Sequence, residues 1–207
     1  MSEYRIAVFA SGSGSNFTAI EDAIKQGKLE VSLSLLVSDR PNAPVVDKAK
    51  QAGVPVFVFQ PKDYASREAY EEEIVHQLHE HQIDLIVLAG YMRLITSKLV
   101  EPFYGKIINV HPSLLPAFPG MNAVKQALDY GVKLTGVTVH LVDGGLDSGP
   151  VIAQQVVEIN DGDTEEMVLH RVHEAEHQLY PKVINWFSKG QVRLEGRHVH
   201  LNTTHPS

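Results

Sequence analysis

The sequence predicts a single α/β domain built on an open sheet, with parallel strands in its N-terminal half, antiparallel strands in its C-terminal half and a long C-terminal helix. Three observations predict it. Short apolar, β-branched runs alternate with amphipathic stretches through the first half of the chain. A glycine loop, SGSGSN at 11–16, follows the first of these runs and opens a helical pattern. In the second half, two β-rich runs at 135–142 and 151–159 have no helix between them, and a long amphipathic stretch at 164–187 follows.

Residues 4–10 read as the first strand and 16–25 as the helix after the glycine loop. Residues 30–37 form the second strand, 39–41 a turn, and 45–52 a helix stopped by Gly53. Residues 54–59 are the third strand. A longer helix covers 66–81, with Ser66 as its N-cap and Ile74, Val75 and Leu78 on its inner face. A buried strand at 84–89, a helix at 97–103 and a strand at 106–110 continue the alternation. Strands so connected run parallel, and ligands bind beyond their carboxyl ends. Those ends carry Gly12, Tyr91 and His111, so the three stretches are expected to line one cleft. After a helix at 123–130, the runs 135–142 and 151–159 extend the sheet as an antiparallel pair. The helix at 164–187 is capped by Asp163 or Thr164 and ended by Gly190. The arrangement is Rossmann-like and places the domain at 1–190. The tail at 191–207 is polar, and only partial order is expected of it.

A chain of 207 residues, 43% of them hydrophobic and 21% charged, buries a substantial core as one domain. It has no cysteine, which excludes disulfides, cysteine-ligated zinc, iron–sulfur clusters and a thiol nucleophile. A net charge of −7 argues against a nucleic-acid partner, because phosphate-backbone binding needs clustered Lys and Arg. Any anionic ligand must then be held locally, by cations and helix N-termini at one cleft. Glu3 stands before a short apolar run that breaks at once into the glycine loop, unlike a signal peptide, and no apolar run is long enough to cross a bilayer. No membrane partner and a cytoplasmic location are expected.

The chemistry concentrates in IINVHPSLLP at 107–116. Asn109 and His111 are two residues apart at a strand end, so their side chains leave on one face, while Pro112 and Pro116 stop the strand and stiffen the connection after it. Asp147, in the glycine-rich loop VDGGLDSGP at 142–150, can come back to meet the imidazole. Amide, imidazole and carboxylate together can stabilise an oxyanion, move a proton and hold the proton mover in place. In the glycine loop, backbone N–H groups can cradle a phosphate at the positive end of the helix dipole. Phe17 stands where a dinucleotide fingerprint has its third glycine, which favours a single phosphate over a pyrophosphate. His170, His173 and His177 share one helical face, but a metal site needs three or four converging ligands, so a solvated helix surface and no metal are expected. His140, inside a strand, reads as structural, and His76, His79 and His81 as solvated helix positions.

From about Arg5 to about Gly190 the chain resembles the phosphoribosylglycinamide formyltransferases, folate-dependent enzymes of purine biosynthesis. The resemblance is carried by GSGSN at 12–16, SREAY at 66–70, LAGYMR at 88–93, NVHPSLLP at 109–116, DSGP at 147–150 and EHQLYP at 176–181. It implies transfer of a formyl group from the co-substrate 10-formyltetrahydrofolate to the amine of glycinamide ribonucleotide, with no metal. Catalysis would fall to Asn109, His111 and Asp147, the last orienting the imidazole and favouring its cationic form. The ribonucleotide would be held by Gly14, Ser15, Asn16, Phe17 and Thr18 and by His173 and Glu176. Folate would be held by Arg67, by Met92, Arg93, Leu94 and Ile95, by Asn109, and by Asp143, Gly144, Gly145, Leu146 and Asp147. Leu88, Ile107 and Val142 would wall its pteridine pocket. The resemblance also implies a cis peptide at Leu115–Pro116 and leaves a homodimer open. Many members carry histidines where this chain has Met121, Asn122 and Ala123, so no role for them is carried over. The rival readings are a 10-formyltetrahydrofolate hydrolase, which normally carries an extra N-terminal domain, a methionyl-transfer-RNA formyltransferase, which has an additional C-terminal one, and a non-enzymatic nucleotide-binding module. That last rival explains the glycine loop but gives Asn109, His111 and Asp147 no purpose.

Overall fold

The computed structural model describes residues 3–202. The chain divides into two compact units, one ending at Asn109 and the other starting at Val110.

In the first unit, β1 (Arg5–Phe9) pairs in parallel with β2 (Ser32–Ser38) on one side and β4 (Leu85–Leu88) on the other. Strand β3 (Val56–Val58) pairs in parallel with β2, and β5 (Ile107–His111) with β4. Ile6, Ala7, Val8 and Phe9 are fully buried, which is why β1 reads as a continuous apolar run rather than an alternating one. Helix α1 (Ser15–Lys25) buries Phe17 and Ile20, and α2 (Pro44–Gln51) starts at a proline that loses nothing at the first helical position. In α3 (Arg67–Glu80) the Ser66 hydroxyl accepts the Ala69 N–H at 3.2 Å, as expected of an N-cap. The buried face of α3 is Tyr70, Glu71, Ile74 and Leu78, whereas the expected Val75 is only half-buried. Glu71 is inside because its carboxylate caps the next helix, accepting the Thr96 N–H at 2.9 Å. That helix, α4 (Ser97–Val100), is a single turn where residues 97–103 were expected, since Pro102 has no N–H to continue it. A 3-10 turn at Pro61–Asp63 was not foreseen.

In the second unit, α5 (Ala123–Tyr130) ends on Gly131 in the left-handed conformation at φ 81°. The strands β6 (Leu134–Leu141) and β7 (Val151–Glu158) are antiparallel, as their sequence pattern predicts. Helix α6 (Glu165–Ser188) is capped by Thr164, whose hydroxyl accepts the Met167 N–H at 3.3 Å. Asp163, the alternative cap, instead pairs with Arg171 and accepts the Asn160 N–H. The apolar face of α6 buries Val168, Val172, Leu179, Tyr180, Val183 and Ile184. Past Gly190, β8 (Val192–Glu195) and β9 (His198–Leu201) form a hairpin, an element the polar tail does not announce. Residues 203–207 of that tail lie outside the described residues.

The main sheet has seven strands in the order β3-β2-β1-β4-β5-β6-β7, parallel in its N-terminal part and antiparallel toward its C-terminal edge. Among the described residues no helix is long and apolar enough to cross a membrane.

Candidate functional site

Strand β5 carries both Asn109 and His111, so the pleat sends the two side chains to the same face. Asn109 is half-buried and His111 is buried. The chain then turns through Pro112 to Pro116, with a cis peptide at Leu115–Pro116. Thr138, fully buried in β6, pins this turn. Its hydroxyl donates to the Ser113 carbonyl at 2.7 Å and accepts the Leu115 N–H at 3.0 Å, while the Gln154 amide also donates to it at 3.0 Å. The backbone that presents His111 is thereby tied to the antiparallel pair.

The glycine-rich loop returns Asp147 to His111, with Oδ2 at 3.4 Å from Nδ1 and both side chains about nine-tenths buried or more. Asp147 sits at φ 49°, a left-handed conformation that Asp tolerates better than most residues. The same Oδ2 accepts the Gly120 N–H at 2.8 Å. On the other side of the ring, Nε2 lies 2.9 Å from the Phe118 carbonyl, which can only accept. The ring is thus set between the Phe118 carbonyl at Nε2 and the Asp147 carboxylate at Nδ1. Residues 118–120 therefore hold the histidine and the aspartate together. Asp143 shapes the loop, its Oδ1 accepting the Gly145 N–H and the Ser148 hydroxyl at 3.0 and 3.1 Å. Gly144, Gly145 and Leu146 are exposed beside it.

His140 was expected to be structural. It is buried, and its Nε2 lies 4.0 Å from Asp147 Oδ1, so two imidazoles flank one carboxylate. Burial lowers its pKa, and His111 acts in the same direction, whereas the Leu141 carbonyl and Asp147 oppose the shift. Alternation along the strand put His140 on the inner side, but nothing in the local sequence showed Asp147 coming to meet it.

In the first unit, Gly14 is the N-cap of α1 at φ 74°, and Ser15, Asn16, Phe17 and Thr18 form the first turn. No side chain caps this helix and its first turn has no acidic residue, so its N-terminal end suits an anion. Phe17 is fully buried, in keeping with its reading as a packing residue in place of a third glycine. Lys48 Nζ reaches the Thr18 hydroxyl at 3.3 Å and adds positive charge there.

A second cluster, missed in the sequence, joins the ends of β1, β2 and β4. Asp39, with its side chain fully buried, accepts the Ser11 hydroxyl on Oδ1 at 2.5 Å and Arg93 Nε on Oδ2 at 2.7 Å. The Ser11 hydroxyl also accepts the Met92 N–H at 2.9 Å. The stretch from Met92 to Ile95 is thus fastened to the glycine loop, and Met92 and Leu94 are left 59% and 57% exposed, apolar surface available to a ligand. Arg67 opens α3. Burial pushes the Tyr70 phenol up, and the positive charges of Arg67 and Arg93 act against it. Leu88 and Ile107 are buried and Val142 is half-buried.

On α6, His173 is exposed and Glu176 buried. Burial pushes the Tyr180 phenol far up, and Glu176 adds to it. His173 and His177 stack with ring centroids 6.4 Å apart. Among the described residues no group of three or more His, Cys, Asp or Glu is arranged to hold a metal ion.

A family model described as "Formyl transferase" matches residues 4–184. A phosphoribosylglycinamide formyltransferase of Bacillus subtilis is 52% identical over 180 residues, covering 87% of this chain and 92% of that protein. The crystal structure of glycinamide ribonucleotide transformylase 1 from Geobacillus kaustophilus is 55% identical with a TM-score of 0.88, covering 90% of this chain and 99% of the other. A formyltetrahydrofolate deformylase from Pseudomonas syringae shares the fold at a TM-score of 0.89 but is 24% identical, and this chain spans 66% of it.

Proposed function

The chain belongs to the formyl transferase family, and from that premise we infer that it transfers the formyl group of 10-formyltetrahydrofolate to the primary amine of glycinamide ribonucleotide, a step of purine biosynthesis. The observation that carries the mechanism is the buried pairing of His111 with Asp147 on the strand that also bears Asn109.

The amine nitrogen attacks the formyl carbon, its C=O π pair moves onto oxygen, and a tetrahedral oxyanion forms. Asn109 donates its amide N–H to that oxygen. His111 exchanges its bond to the Phe118 carbonyl for one to the same oxygen, and Asp147 keeps the ring oriented. A well-placed donor of this kind contributes about 3–4 kcal/mol to the transition state. The amine proton then passes to N10 of the folate through His111 or a bound water, the C–N10 bond breaks, and tetrahydrofolate leaves. The ribonucleotide phosphate binds the uncapped first turn of α1, from Gly14 to Thr18, with His173 and Glu176 contributing from α6. Folate lies along Met92 to Ile95, with Arg67, Asn109 and the loop from Asp143 to Asp147 completing its contacts. A cytoplasmic setting suits a chain without cysteine.

The test is to supply purified protein with folate labelled in its formyl group, with and without the ribonucleotide. The label is expected in the ribonucleotide product. Labelled formate released equally fast in both reactions would identify a hydrolase instead.

A further inference from the structure

The glycine-rich loop that carries Asp147 is held from outside as well as from within. Within it, Asp143 Oδ1 accepts the Gly145 N–H and the Ser148 hydroxyl, and a Cβ at Gly149 would run into the Leu141 carbonyl oxygen, so the chain crosses the end of β6 closely. Asp147 stands just before Ser148 at φ 49°, a conformation that persists in an L-residue where its surroundings hold it. One such hold comes from the C-terminal hairpin. The pairing of Glu195 with His198 leaves Gly196 and Arg197 as a two-residue turn, and Gly196 at φ 59° supplies the positive φ that such a turn needs. From that tip Arg197 Nη2 donates to the Ser148 carbonyl at 2.6 Å. The bond is charge-assisted, and so stronger than one between neutral groups.

The hairpin has the footing to keep its tip in place. Val192 and Leu194 of β8 pair with Leu201 and Val199 of β9, and these four side chains are half-buried, whereas Arg193, Glu195, His198 and His200 alternate with them and are exposed. Strand β9 lies beside β7, which begins at Val151 directly after the loop. Ser148 is therefore gripped twice, its hydroxyl by Asp143 and its carbonyl by Arg197. None of the residues assigned to substrate or to catalysis belongs to the hairpin. We propose that Arg197 is a positioning residue for the formyl transfer inferred above: by holding the Ser148 carbonyl it keeps Asp147 where Oδ2 meets both His111 Nδ1 and the Gly120 N–H. Its kinetic consequence rests on that reaction, and its effect on the loop rests on these contacts alone.

The test compares Arg197→Met, which keeps a long unbranched side chain without a donor, with Arg197→Lys, which keeps a cationic donor. Arg197→Met should lower kcat for formyl transfer about tenfold at saturating substrates, with KM for the ribonucleotide within about twofold of parental. Arg197→Lys should stay within about threefold of the parental kcat. In an Asp147→Asn background, Arg197→Met should lower kcat by less than about twofold further, because a carboxylate already lost cannot be misplaced. A parental kcat in Arg197→Met, a lysine variant as slow as the methionine one, or losses that multiply in the double variant would each overturn the proposal. Exchange of the Gly120 amide hydrogen for solvent deuterium, followed by NMR, reads the same hold without turnover, since that N–H donates to Asp147 Oδ2. It should be about tenfold faster in Arg197→Met than in the parent. Unchanged exchange would overturn the proposal whatever the activity. Faster exchange in a protein that transfers no formyl group would support the hold on the loop and discard the reaction instead.

Discussion

His111 and Asp147 meet with Nδ1 and Oδ2 3.4 Å apart, and residues 118–120 bind both, the Phe118 carbonyl facing Nε2 at 2.9 Å and the Gly120 N–H donating to the same Oδ2 at 2.8 Å. The imidazole is held at both nitrogens before any substrate arrives. In the proposed mechanism the carbonyl bond is the one exchanged for a bond to the substrate oxygen.

In the proposed mechanism Asn109 donates its amide to the oxyanion. Asn109→Ala should lower kcat by about 10²–10³-fold while leaving both KM values within a few-fold of parental. Steady-state kinetics with each substrate varied at saturation of the other checks this. Near-parental kcat would remove Asn109 from the mechanism.

Thr138 tests how the turn after β5 presents His111. Thr138→Val keeps the shape but removes a hydroxyl that serves the Ser113 carbonyl, the Leu115 N–H and Gln154. Two buried backbone groups lose a partner, at about 1–3 kcal/mol each. Denaturant unfolding should show a loss of about 2–6 kcal/mol. An unchanged midpoint would mean that the turn is held by other contacts.

Gly14 is constrained by the fold as well as by any ligand. A Cβ there would lie 2.6 Å from Val45 Cγ2 and 2.7 Å from Val45 Cβ, at a φ of 74°. Gly14→Ala should therefore destabilise the protein by about 1–3 kcal/mol before any ligand binds. Phosphate binding is better tested by Ser15→Glu, which puts a negative charge in the first turn of α1. The KM for the ribonucleotide should rise at least about tenfold and that for the folate stay near parental. Equal rises would contradict phosphate binding at this helix.

Burial lowers the pKa of His140, and likewise those of His173 and His177, below the ordinary value of 6.5. As pH falls through that value the unfolded chain takes up protons that the folded chain resists, so stability should fall with pH. Glu71 acts oppositely: burial raises its pKa above the ordinary 4.5, so its contribution is present at low pH and is lost as pH rises through its folded value. His140→Gln isolates one histidine. Its urea midpoint should drop less than the parental one between about pH 7.5 and about pH 5.5. Identical drops would show that His140 is protonated as readily folded as unfolded.

The order of elements was legible because each is specified locally. Apolar runs such as those of β1 and β4 mark strands, and Ser66 marks a helix start through a hydroxyl that reaches only three residues ahead. Thr164 and Asp163 were equally good caps until the structure gave Asp163 to Arg171. Asn109, His111 and Asp147 stood out because polar groups at the end of an apolar strand and in a glycine loop have no packing reason to be there. The Asp39 cluster was not legible. It joins residues 28 and 54 positions apart, and no local period encodes such a pairing. The place of His140 beside Asp147 was not legible for the same reason, since the two come together only in the folded chain. The β8–β9 hairpin was hidden by a polar sequence whose turn depends on Gly196 at φ 59°.

The claim that His111 and Asp147 act as one catalytic unit is tested most directly by a double-mutant cycle on kcat, measured for formyl transfer at saturating levels of both substrates. Asp147→Asn and His111→Ala are each expected to lower kcat by about 10²–10⁴-fold. The double variant should be about as slow as the slower single one, because an imidazole that is absent cannot be oriented. Losses that multiply, so that the double variant is slower by the product of the two single effects, would show that the residues act independently and would contradict the account.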